Sequence, residues 1–206
     1  PLEYGKLLVG KTILSSKGYG MFVDFYLSGN VIMNIGDGVS ARYYNPGDKV
    51  PANYQLLLTF KDESFLVFTV AMYGFISAYP DAVIDNKYYT ISRESISPLS
   101  DAYTEAEFEK LFAFAKKTLT AKALLATEQR IPGVGNGVTQ DILFNAGIHP
   151  KQKVIDLSDG QKGVLFKSLK DTLMAMTSGR GRDTQTDLYG NEGGYKTILS
   201  SKTWKN

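Results

Sequence analysis

A chain of 206 residues, 43% hydrophobic and 12% aromatic, holds enough apolar material for one large core or two modest ones, which argues against a disordered protein. It contains no cysteine and one histidine, His149, which excludes disulfides, cysteine-ligated zinc and iron–sulfur clusters within it and leaves a histidine-dependent hydrolase without a nucleophile motif near its base. The net charge is only +2, yet residues 151–206 carry ten lysines and arginines against six acids, a bias that suits a polyanion partner as well as it suits a solvated surface.

Up to about residue 95 the pattern is of short strands. "TILSS", "MFVDFYL", "VIMNI", "ARYY", "YQLLLTF" and "SFLVFTV" are rich in β-branched and aromatic residues and are separated by "SKGYG", "LSGN", "GDG", "NPGD" and "KDES". Such spacing predicts an antiparallel sandwich or barrel. The longest apolar run, "FLVFTVAMYGFISAY", is broken by Thr, Gly and Ser and falls short of the ~20 residues of a bilayer span. With no signal peptide at Pro1, the expectation is a soluble cytoplasmic protein.

Residues 86–103, "NKYYTISRESISPLSDAY", lack helical periodicity and contain Pro98, so they read as a linker. The period then changes. "TEAEFEKLFAFAKKTL" opens on a Thr104–Glu107 capping box and sets Phe108, Leu111, Phe112 and Ala115 on one face. "AKALLATEQR" predicts a second helix, and "GVTQDILFNAG" a third, with Val138, Ile142 and Ala146 on one side and Gly147 as its stop. Ser158 and Gln161 form another capping box at the head of "SDGQKGVLFKSLKDTLMAMT", and the glycine-rich loop "SGRGRDTQTDLYGNEGGYK" follows. The expected class is α+β: a partial antiparallel β-sandwich over residues 1–95, then a helical domain over 96–206.

Between the second and third of these helices lies "IPGVGNGV", residues 131–138. Glycines at 133, 135 and 137 permit positive φ and close backbone approach, and a tight pair of turns here leaves the first N–H groups of the next helix unpaired. That geometry suits a phosphate oxygen, with Asn136 adding an amide donor; it also suits a compact helix–helix turn.

The surrounding residues carry a resemblance. "EQRIPGVGNGVTQDILFNAGIHPKQK", residues 128–153, is similar to the helix-two-turn-helix of the formamidopyrimidine-DNA glycosylase and endonuclease VIII family, which shows Gln-Arg or Gln-Lys, Gly-x-Gly-Asn, an acid five residues after the Asn, and Ala-Gly-Ile-His-Pro. The matching residues are Gln129-Arg130, Gly133 to Asn136, Asp141 and Ala146 to Pro150. "GRGRDTQTDLYGNEGGYKTILSSKTW" resembles the loop and segment that precede the family's zinc finger, so the likeness covers residues 122–204; over 7–79 it rests on strand order. It implies that Gly133, Gly135, Asn136 and Gly137 bind a phosphate of damaged or abasic duplex DNA and that the glycine-rich loop lies over a flipped base. Arg180, Arg182 and Lys196 become either phosphate neighbours or solvated charges, Asp141 a structural acid of the helical lobe, and His149 a hydrogen-bonded packing residue.

The departures from the family are as informative. Its nucleophile is an N-terminal proline amine followed by glutamate, suited to attack by an α-amino pKa of about 7.7 to 8.0. Here Pro1 is followed by Leu2, and "PLEYGKLLVGKTIL" is expected to run straight into a later strand of the sandwich. The family's strand-turn lysine falls at Tyr19, and its base-gap fillers fall near Asp37, Met72 and Tyr73; Met72 and Tyr73 are either a wedge for a base step or core residues. The four cysteines of the finger are absent, so neither zinc nor any other cofactor is expected in this chain. The expectation is an incomplete or divergent repair protein of the glycosylase/AP lyase type, monomeric, with no catalytic residue of its own. The alternative is a non-catalytic binder of DNA or structured RNA on the same scaffold.

Overall fold

The computed structural model describes residues 2–80, 84–113, 115–200 and 203. Pro1 and Trp204 lie outside them. The chain divides into two compact units: Pro1–Arg93 with Asp187–Asn191, and Glu94–Thr186 with Glu192–Asn206. The five residues 187–191, expected within the helical domain, therefore belong to the first unit.

The first unit opens on a helix, α1 (Leu2–Leu8), where the sequence predicted direct entry into a strand. Seven strands follow: β1 (Ile13–Tyr19), β2 (Phe22–Leu27), β3 (Val31–Ile35), β4 (Val39–Tyr44), β5 (Leu56–Thr59), β6 (Phe65–Val70) and β7 (Ile76–Pro80). They form two antiparallel sheets, β1-β2-β3-β7 and β4-β6-β5. The core follows the two-residue period. Val23, Phe25 and Leu27 pair with Ile35, Met33 and Val31 and pack with Leu66 and Phe68 of β6, each fully buried side chain contributing about 1.5 to 3 kcal/mol.

The alternate residues of β2 and β3 meet a different cover. Asp24 and Asn34 are buried and paired in register, and Asn34 Nδ2 donates to Asp24 Oδ1 at 2.5 Å. Their cover includes α2 (Lys87–Glu94), whose Tyr89 hydroxyl donates to Asp24 Oδ2 at 2.6 Å. This helix stands where the sequence predicted a linker. Only Tyr89 and Ser92 of it are buried, too few to set a period, and Asn86 nucleates it by accepting the N–H groups of Tyr88 and Tyr89.

The turn from Asp187 to Asn191 adds to β4, the edge of the three-stranded sheet. The Tyr43 N–H donates to Leu188 O at 2.9 Å, Arg42 donates to Asp187 O, and the Tyr43 and Tyr189 rings meet edge to face.

The second unit is helical: α3 (Glu105–Ala113), α4 (Ala121–Ala126), α5 (Asn136–Asn145), a 3-10 turn at Val154–Asp156 and α6 (Asp159–Ser178). Thr104 accepts the Glu107 N–H at 3.3 Å, but α3 ends at Ala113 rather than continuing toward residue 119. The Ser158–Gln161 box is complete on both sides. Phe108, Leu125, Ile131, Ile142, Leu165 and Leu169 form one buried core, with Val138 and Ala146 against it. Ser168 Oγ donating to Ile142 O at 2.7 Å ties α6 to α5. Among the described residues no helix is long and apolar enough to cross a membrane.

Candidate nucleic-acid interface

The reversal between α4 and α5 is built from opposite ends of two helices. Glu128 and Gln129 both take left-handed φ, 59° and 51°, which turns the chain off α4. Arg130 stabilises that exit: its Nη1 donates to Ala123 O at 3.1 Å and to Thr127 Oγ1 at 2.7 Å, and its Nη2 to Glu128 Oε2 at 2.7 Å. A guanidinium against the carbonyl end of a helix satisfies orphan acceptors and opposes their partial negative charge.

Ile131 and Val134 then anchor the second turn in the core, closed by the Val134 N–H on Ile131 O at 3.1 Å, with Gly133 between them at φ 85°. Of the three glycines read as sources of positive φ, Gly133 alone uses it. Gly135 is the extended N-cap of α5, at φ −93°, and Gly137 lies within the helix.

No side chain caps α5, so the amides of Asn136, Gly137 and Val138 have no partner from it. Gly135 and Asn136 are exposed, and the Asn136 side chain makes no hydrogen bond with a described residue. Gly137 serves a separate purpose. The guanidinium of Arg182 occupies the space that a Cβ at residue 137 would need, which sets a cation directly on the first turn of α5.

Arg182 is held there by the base of the glycine-rich loop. It bridges Tyr195 in parallel, its Nε donates to Gln185 Oε1 at 3.4 Å, and Gly193 packs backbone to backbone on Gly181. Asp183 accepts the Thr197 N–H and hydroxyl at 3.2 and 2.7 Å and lies 4.0 Å from Lys196 Nζ. Arg180 and Lys196 are exposed.

Asp141 is buried, and its oxygens accept the N–H groups of Ile198 and Leu199, each at 3.1 Å. Tyr195 lies against the same carboxylate, and burial first, with that charge second, pushes its hydroxyl up to about 12. Asp141 thus fixes the segment after the loop. His149 corrects an expectation: it is hydrogen-bonded, accepting the Lys151 N–H at 3.2 Å on Nδ1, but it is exposed rather than packed.

In the first unit, Met72 and Tyr73 are 91% and 94% exposed, which overturns the core alternative for both. Their turn is closely packed at its base. Gly38, at φ 82°, and Gly74 pack backbone to backbone, Gly36 accommodates the Phe75 ring, and the Ala71 N–H donates to Gly38 O at 2.8 Å. Met72 itself takes φ 53°.

Among the described residues no three His, Cys, Asp or Glu side chains converge on a cation site. A four-cysteine zinc finger has no ligands in a chain without cysteine.

Formamidopyrimidine-DNA glycosylases of Shouchella clausii and Listeria innocua are each 27% identical to this chain, over 188 and 194 residues. These alignments take in 90% of the chain and 67% and 68% of the relatives. A formamidopyrimidine-DNA glycosylase of Arabidopsis thaliana is 36% identical over 85 residues. Over about nine tenths of its length the chain is similar to members of the formamidopyrimidine-DNA glycosylase family. It spans about two thirds of the length of the bacterial relatives. The fold agrees with that of a Lactococcus lactis Fpg solved with DNA containing an abasic site, at TM-score 0.76, 20% identity and coverage of 94% of this chain and 71% of that one. The Thermus thermophilus family member gives 0.72 at 23% identity, covering 92% and 70%. No protein-family model matches the chain.

Proposed function

We propose that this chain binds duplex DNA at damaged or abasic nucleotides, as a base-excision-repair protein of the glycosylase/AP lyase type that makes no covalent adduct of its own. The observation that carries the reading is the solvent-facing corner at Gly135 and Asn136, where uncapped amides, a carboxamide and the Arg182 guanidinium converge on the first turn of α5. A corner buried in protein would have no access to a phosphate. Arg182 sets a cation on that turn, while Arg180 and Lys196 add to the positive field of the same unit.

Met72 and Tyr73 complete the assignment. An apolar and an aromatic side chain, held off the sheet by a glycine-locked turn, suit insertion into the gap that a flipped nucleotide leaves. The reading of no turnover rests on Tyr19, which stands where the resemblance expects the lysine that assists on a phosphate near the lesion. The cellular place that fits is the cytoplasm, on the nucleoid if the host is bacterial, with this chain monomeric and holding no cofactor of its own.

Fluorescence anisotropy with a duplex carrying one tetrahydrofuran abasic analogue, against the intact duplex and a duplex RNA, tests the binding. Preference for the abasic DNA is expected; equal binding of the RNA would favour a structured-RNA partner. Borohydride trapping on abasic-site DNA is expected to give no adduct, and one mapped to Pro1 would overturn the catalytic half of the reading.

A further inference from the structure

A second cationic site lies wholly within the first unit, on the face of the four-stranded sheet covered by α2. Lys17 Nζ sits 5.0 Å from the centroid of the Tyr19 ring, and the Arg93 guanidinium carbon 5.6 Å from the same centroid and 5.8 Å from that of Tyr89. Two cations gathered at one ring raise the local positive potential, which favours an anion beside them.

No described acid supplies it. Neither Lys17 nor Arg93 forms an ion pair with a described residue. The carboxylate of this cluster, Asp24, is buried and already accepts from Asn34, Tyr89 and Tyr26 at 2.5, 2.6 and 3.3 Å. Arg93 is nonetheless held in place: its Nη1 donates to the Tyr89 hydroxyl at 2.9 Å, which donates onward to Asp24. The ring of Tyr19 is fixed in turn, its hydroxyl 3.0 Å from that of Tyr26. One guanidinium nitrogen is thus committed to positioning, while Lys17 and the rest of the fork face solvent without a carboxylate.

We propose that Lys17 and Arg93, clasping Tyr19, form a phosphate-binding site on the β-rich unit, occupied by a phosphodiester of the nucleic-acid backbone. This rests on the nucleic-acid reading above for its ligand, but not for its geometry.

The test has two arms. In the first, the affinity of the whole chain for the abasic-analogue duplex is measured against salt. The Lys17→Gln/Arg93→Gln variant is expected to bind about tenfold more weakly, with the slope of log K on log salt reduced by about 1 to 2, and Lys17→Arg to bind like the parent. In the second, pyrophosphate is titrated while the Arg93 Nε–H resonance is followed by NMR; it is expected to shift in the parent chain and in Tyr19→Phe, and not in Tyr19→Ala. Duplex binding with an unchanged slope in the double variant overturns the site. So does an Arg93 resonance indifferent to pyrophosphate. A resonance that shifts in a chain that binds no duplex sustains the anion site and overturns the phosphodiester and the reading it rests on.

Discussion

At residue 137 a missing Cβ makes room for a side chain rather than freeing the backbone. Gly137 lies in ordinary helix, where alanine is favoured over glycine by about 0.5 to 1 kcal/mol, but an added methyl would expel the tip of the Arg182 side chain. Gly137→Ala is therefore expected to leave the melting temperature unchanged or slightly raised while weakening duplex binding severalfold, a split readable by calorimetry and anisotropy on one sample. Asn136→Ala should weaken binding about equally for every sequence, because a phosphate contact carries no base information. Asp141 is the opposite case. Removing its carboxylate takes the acceptor from two part-buried N–H groups, so Asp141→Ala is expected to cost about 1 to 2 kcal/mol in chemical denaturation. Tyr103 carries a buried hydroxyl without a partner among the described residues, and Tyr103→Phe should be neutral or stabilising.

Elements differ in how plainly the sequence announces them. The α4–α5 reversal was legible because its punctuation is local, with Gly133 for the left-handed turn and an uncapped start at Gly135 and Asn136; the anchoring by Ile131 and Val134 was not read from the sequence. The contact of Arg182 with Gly137 was not, since it joins residues 45 positions apart and leaves no periodic trace. Helix α2 escaped for another reason: its stability comes from Asn86 at one end and one buried tyrosine, not from an apolar stripe. The β6–β7 turn misled, because Met and Tyr in a β-rich stretch usually mean core. What reverses the rule is the glycine pair beneath, whose φ and backbone approach appear only in three dimensions. Tyr73→Ala is expected to leave stability within about 0.5 kcal/mol and to erase most of the preference for the abasic over the intact duplex; an unchanged ratio would remove the wedge from the site.

For the whole molecule, pH gives a signature independent of any ligand. Tyr89, Tyr103 and Tyr195 have hydroxyls pushed up to about 12, in each case first by burial and then by neighbouring carboxylates. Their raised values favour the neutral form in the fold, so this stability is fully present below the ordinary tyrosine value near 10 and is lost as pH rises from there toward 12. The melting temperature should hold to about pH 10 and then fall steeply, with Tyr103→Phe softening the drop.

Asp187 to Asn191 has a consequence for solubility. A strand at the rim of a sheet offers its free amides to any passing chain, and β4 is such a rim. By laying Leu188 and Tyr189 along it, the protein uses its own loop as a selvedge that finishes the cloth: Tyr43 is answered from within, and strand addition is blocked at that point of the rim. Excising that short turn would unpick the hem, and light scattering would register the resulting aggregates before any spectroscopic sign of unfolding.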